Sequence, residues 1–175
     1  MTIRIVICLV VIFVTQVLSQ GVFDFKLIDF DKEQEISLQQ YKNTKAILIT
    51  NVALNDGLTF INFKQLQHLY EKYHDKGLEI LAIMNDFGQE SSIVVVKPHI
   101  GKIPLFSKTV VSGESIHPLF NYLVEQTNQI PISWNFAKFL IDAKNGKPIK
   151  RYAPQVSPLN IEHDIINLLG NIQEL

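Results

Sequence analysis

Apolar and polar positions fall into blocks along this chain, and the first blocks read strand, helix, strand. Asp24 to Asp29 alternates as a short strand does, and Lys45 to Val52 (KAILITNV) is an apolar run of buried-strand length. Asn55-Asp56-Gly57 then marks a turn. Beyond it, Phe63, Leu66, Tyr70 and Tyr73 recur at steps of three and four, which predicts a helix with one apolar face. Gly77 is placed to close that helix as a C-terminal cap. Leu78 to Met84 (LEILAIM) predicts a second buried strand. Two buried strands separated by a helix imply a parallel pair with a right-handed crossover.

The second half is more varied. His117 to Gln126 predicts a helix with Leu119, Tyr122 and Leu123 on one side. Phe139 to Asp142 and Ile149 to Tyr152 predict strands joined at Asn145-Gly146, a strong hairpin signal. A last helix is expected from Ser157 as N-cap, with Pro158 at its first position and Ile161, Ile165 and Leu168 facing inward. Ser91 to Lys108, with three valines and two prolines, takes no single assignment. A parallel core pair with an appended hairpin predicts an α/β, thioredoxin-like fold: a central mixed sheet flanked by helices.

The N-terminus stands apart. Arg4 supplies a positive start, Ile5 to Val14 is an uninterrupted apolar core, and Val17-Leu18-Ser19 offers the small or apolar residues that a signal peptidase reads. Residues 1–19 are therefore expected to be a signal peptide, with cleavage after Ser19 and after Gln20 as the neighbouring choice. The apolar core is well short of the ~20 residues of a spanning helix, and Arg4 argues against a buried strand. The expected mature chain, 20–175, is one secreted domain. The chain's single cysteine, Cys8, lies inside the leader, so that mature chain has no thiol and no disulfide. A formal charge of -1 gives no reason to expect a nucleic-acid or anionic-membrane surface.

Several short motifs then resemble the glutathione peroxidase family. Asn51-Val52-Ala53 followed by Gly57-Leu58-Thr59 is similar to its nucleophile loop. Leu69 to Tyr73 and Gly77 to Ala82 resemble the helix and strand that follow it, and Pro104-Leu105-Phe106 and His117-Pro118-Leu119 resemble its middle. Trp134-Asn135-Phe136, Lys138-Phe139-Leu140, Arg151-Tyr152-Ala153-Pro154 and Ser157-Pro158 resemble its last third. The short connection between the helix at His117 and Trp134 resembles the monomeric, phospholipid-hydroperoxide type, which implies a monomer.

The resemblance implies hydroperoxide reduction in the response to oxidative stress, with glutathione or thioredoxin as co-substrate and no cofactor. It places the family's Cys or Sec nucleophile at Asp56, its glutamine at Asp86, and its tryptophan and asparagine at Trp134 and Asn135. A carboxylate cannot replace the thiolate, because its hard oxygens attack peroxide poorly and cannot run a sulfenic-acid cycle. The family's Pro-Cys falls at Met84 with one residue deleted, and another is missing around Gly88-Gln89-Glu90, so a resolving cysteine is absent too. The expectation is a non-catalytic homologue that binds an unknown partner or small ligand; the alternative is residual or altered chemistry at an Asp56/Asp86 pocket. In the first reading Asp56 caps the following helix, Trp134 is a core residue with its indole satisfied, and Asn135 holds backbone. Asp56, Asp86 and Asn135 together could hold a hard cation such as calcium, though three ligands are few. His68, His74, His99, His117 and His163 show no metal-ligand spacing, so solvated or packing roles are expected.

Overall fold

The computed structural model describes residues 20–85 and 99–170. Its centre is a five-stranded sheet in the order β5-β4-β3-β6-β7. Strands β3 (Ala46–Val52), β4 (Leu78–Asn85) and β5 (Leu105–Thr109) run parallel, while β6 (Lys138–Asp142) and β7 (Lys147–Tyr152) run antiparallel to their neighbours. A separate hairpin of β1 (Lys26–Ile28) and β2 (Glu35–Ser37) leans on β5 through an Asp29–Phe106 bridge. The mixed α/β sandwich predicted from the pattern is present.

Every residue of β3 and β4 is buried, which is why both read as unbroken apolar runs rather than alternating ones. Ala46, Leu48 and Val52 face Phe63, Leu66 and Leu69 of α1 (Thr59–Tyr73), Ile165 of α3 (Glu162–Leu169) and Ile161 just before it. Ile47 and Ile49 face the other way, onto Leu119, Phe120 and Leu123 of α2 (Pro118–Glu125). One sheet thus separates two apolar layers, and the polar loops at its ends are left to carry a site.

Several local expectations shift. Gly77 does adopt the left-handed conformation (φ 108°), but it ends a 3-10 turn, His74–Lys76, that follows α1. The β6–β7 loop spans four residues, 143–146, with only Gly146 at positive φ, so it is not the two-residue turn that Asn-Gly suggests. Ser157 precedes a 3-10 turn, Pro158–Ile161, and its side chain makes no cap bond; α3 begins only at Glu162. Leu169 takes the buried place expected of Leu168, which is partly exposed. His117 is a working N-cap: its Nδ1 accepts the Leu119 amide at 3.2 Å, and burial lowers the pKa of its ring. His74 stacks on Tyr70 with ring centroids 4.5 Å apart. Among the described residues no helix is long and apolar enough to cross a membrane.

Candidate functional site

Strands β3 and β4 end side by side: the loop leaving β3 carries Asp56, Asn85 is the last residue of β4, and both meet the segment Trp134-Asn135-Phe136 that leads into β6. Asp56 lies in the turn between β3 and α1. Its Oδ1 accepts the Leu58 amide at 2.7 Å, and its own amide donates to Thr59 Oγ1 at 3.2 Å. Thr59 Oγ1 in turn donates to the Ala53 carbonyl at 2.9 Å, tying the helix start back to the strand end.

Asp56 is therefore not the helix cap expected of it. Leu58 occupies the N-cap position, and the Asp56 carboxylate bonds the amide of that residue rather than the first-turn amides beyond it. It holds the turn that leads into α1. Asp56→Ala is still expected to destabilise the protein, by about 1 kcal/mol, since it removes charge-assisted bonds from a half-buried turn. Denaturant melts of the two proteins measure this directly.

Asn135 is buried, and its Nδ2 donates to Asp56 Oδ2 at 2.9 Å. An ionised carboxylate only accepts, so this contact fixes the amide's orientation and turns Oδ1 away from Asp56. That oxygen accepts a short hydrogen bond from Asn85 Nδ2, so Asp56, Asn135 and Asn85 form one chain of bonds. The Asn135 side chain thus bonds two other side chains instead of holding backbone. The same orientation weakens the cation reading, because Asn135 offers Asp56 its nitrogen. Asp86, the remaining predicted site residue, lies outside the described residues.

Trp134 corrects another expectation. It is 49% exposed rather than packed in the core, while its backbone carbonyl accepts from Asn51 Nδ2 at 3.0 Å. Phe60 and Ile61, in the first turn of α1, are exposed too, so apolar side chains stand on both chain segments that meet at Asp56.

The sequence reading assigned no role to the residues that hold this arrangement. Phe136 has φ 66°, a left-handed conformation that costs a non-glycine residue about 1–2 kcal/mol. Three contacts keep it there. Its amide donates to the Asn51 carbonyl at 2.7 Å, its carbonyl accepts from Lys138 Nζ at 2.8 Å, and its ring meets Phe63 edge-on at 5.9 Å. Lys138 is fully buried and also donates to the Pro154 carbonyl at 3.3 Å; burial lowers its pKa to about 8. Arg151 donates to Asn128 Oδ1 at 2.9 Å and to the carbonyls of Ile130 and Pro131, anchoring the segment that leads to Trp134. A lysine directly ahead of the apolar run Phe139-Leu140-Ile141 was the available signal for Lys138.

A carboxylate just beyond the end of β3, bonded to an asparagine on a second loop, lies in a thioredoxin-fold sandwich at the carboxyl ends of the parallel strands. The same fold occurs in the thioredoxin domain of a thiol-disulfide oxidoreductase from Bacteroides vulgatus (TM-score 0.59, 14% identity). Residues 22–124 match the glutathione peroxidase family model, and the chain belongs to that family. A probable glutathione peroxidase 8 of Arabidopsis thaliana is 42% identical over 162 residues, covering 86% of this chain and 95% of the relative. A probable phospholipid hydroperoxide glutathione peroxidase of Helianthus annuus is 41% identical over 150 residues, covering 79% and 82% of the two chains. Among solved structures, T. cruzi GPX1 superimposes with a TM-score of 0.71 at 27% identity, covering 89% of this chain and all of that one. Apo Trgpx gives the same TM-score at 29% identity, covering 86% of this chain and 96% of the other.

Proposed function

We propose that this glutathione-peroxidase-family chain is a secreted, monomeric, non-catalytic protein that acts by binding. The observation that carries the reading is the state of Asp56. Where the family resemblance places the nucleophile stands a carboxylate, and both of its oxygens are engaged, one by the Leu58 amide and one by Asn135. Such a group is neither soft enough nor free enough to attack a peroxide oxygen. Among the described residues, the one carboxyl group whose pKa is raised, by burial, is Glu79, near the opposite end of β4 from Asn85.

A binding module on this scaffold would ordinarily carry an exposed apolar or charged patch away from the old site. Phe60, Ile61 and Trp134 instead flank the site itself, which favours the mouth of the old site as the binding face. The relatives named as peroxidases supply the enzyme alternative, with glutathione or thioredoxin as reductant. A coupled assay of the mature protein with either reductant and a hydroperoxide separates the two. The proposal expects no turnover above buffer; turnover that disappears in Asp56→Ala would establish the enzyme reading.

A further inference from the structure

We infer that Gln20 is a modification site: in the secreted protein it is the N-terminal residue and is cyclised to pyroglutamate. The inference rests on the secretion reading proposed above and adds to it the chemistry of the new terminus. Ser19 and Val17 are the small and apolar residues that fit cleavage between residues 19 and 20, whereas cleavage one residue later would put bulky, polar Gln20 at the position where a small residue is read. The first cut leaves a glutamine with a free α-amine.

The reaction needs no partner. The α-amine nitrogen of Gln20 attacks its own side-chain carbonyl carbon, and a five-membered lactam bond forms. The bond from that carbon to the side-chain nitrogen breaks, and ammonia leaves carrying the proton that the amine gives up. Nothing is oxidised or reduced. Nucleophile and carbonyl belong to one residue, so the step has the advantage of an intramolecular reaction.

The fold leaves these atoms free while it fixes the rest of the residue. Gln20 is exposed, but its main-chain carbonyl accepts the Tyr122 hydroxyl at 3.0 Å. The next residue is held more tightly. Gly21 is buried, its amide donates to Asp24 Oδ2 at 2.9 Å, and a Cβ placed on it would lie 2.9 Å from the Asn145 carbonyl oxygen. Val22 donates to the Gly146 carbonyl at 2.8 Å, so the hairpin loop grips the chain from its second mature residue onward. Ring closure uses only the amine and the side chain. The carbonyl that Tyr122 holds survives, so the product fits the same place. The protein loses one positive charge and the free amine that an aminopeptidase would engage.

The test is to express the full chain in cells with a secretory pathway, purify it from the medium, and measure intact mass and N-terminal sequence. The expected result is chain 20–175 with a mass lower by one ammonia and a terminus blocked to sequencing. Pyroglutamyl aminopeptidase should open that terminus to Gly21, and a Gln20→Ala variant should be secreted with an unblocked alanine. A secreted chain beginning with an uncyclised Gln20, or with Gly21, overturns the modification while leaving secretion standing. A chain that keeps residues 1–19 overturns the secretion reading, and the modification with it.

Discussion

The cost of Lys138→Met is expected to grow by roughly 3 kcal/mol between about pH 7 and pH 10.5, because the wild-type protein gains stability over that window and the variant does not. Burial, with no carboxylate partner among the described residues, lowers the native pKa of Lys138 from 10.5 to about 8. Between those values the unfolded chain carries a proton that the native chain has lost, so native stability rises with pH there. Below about pH 8 both states are protonated, and the native state bears the whole cost of a buried charge. A neutral amine still has two hydrogens for the carbonyls of Phe136 and Pro154, so deprotonation relieves the charge without breaking the clamp. Methionine removes the charge but leaves both carbonyls unpaired, and these effects oppose one another near neutrality. The tyrosines whose pKa values burial raises, Tyr41 and Tyr152 among them, are present in both proteins and cancel in the difference. Urea melts of the pair across the pH range give the result. A difference that does not change with pH would show that Lys138 stays charged in the native protein.

Asp56→Cys is expected to give a thiol that hydrogen peroxide oxidises about tenfold faster than free cysteine at mildly acidic pH, through a lowered pKa. A sulfur at this position inherits the Leu58 amide and Asn135 Nδ2, two donors that now hold an anionic carboxylate and would equally favour a thiolate. The family resemblance places Asp86 at the glutamine of the same site, where its charge would oppose ionisation. The double variant Asp56→Cys with Asp86→Gln should therefore react faster than the single one. Neither should turn over efficiently with a reductant, since the chain's only native cysteine is Cys8, in the segment expected to be removed as a signal peptide. Thiol oxidation rates and pKa values of both variants measure this. Equal values would show that Asp86 does not face position 56, and rates no faster than free cysteine would show that the donors no longer point into the site.

Much of the fold was legible because its signals are local and apolar. The runs at Lys45 to Val52 and Leu78 to Met84 became β3 and β4, and the spacing of Phe63, Leu66, Tyr70 and Tyr73 gave the buried face of α1. Turn chemistry was less informative. Asn145-Gly146 and Ser157-Pro158 marked real boundaries, but tertiary contacts chose a longer loop and a 3-10 turn at those places.

At the site, residue identity and residue role came apart. The resemblance placed Asp56 and Asn135 together, and they bond one another. It could not show that Asn85 completes the chain, that Trp134 is turned outward, or that Lys138 and Asn51 secure a left-handed Phe136. Those facts depend on how two loops distant in sequence meet at the strand ends, and no periodicity records that meeting.

The central claim, that a locked carboxylate has replaced the nucleophile, is tested most directly by a single-turnover measurement. Mature protein is mixed with substoichiometric hydroperoxide and no reductant, and peroxide loss is followed from the first milliseconds. This isolates the oxidation step from any question of which reductant the site accepts. The account predicts no burst of peroxide loss and no change in protein mass. A burst stoichiometric with the chain, lost in Asp56→Ala, would contradict it.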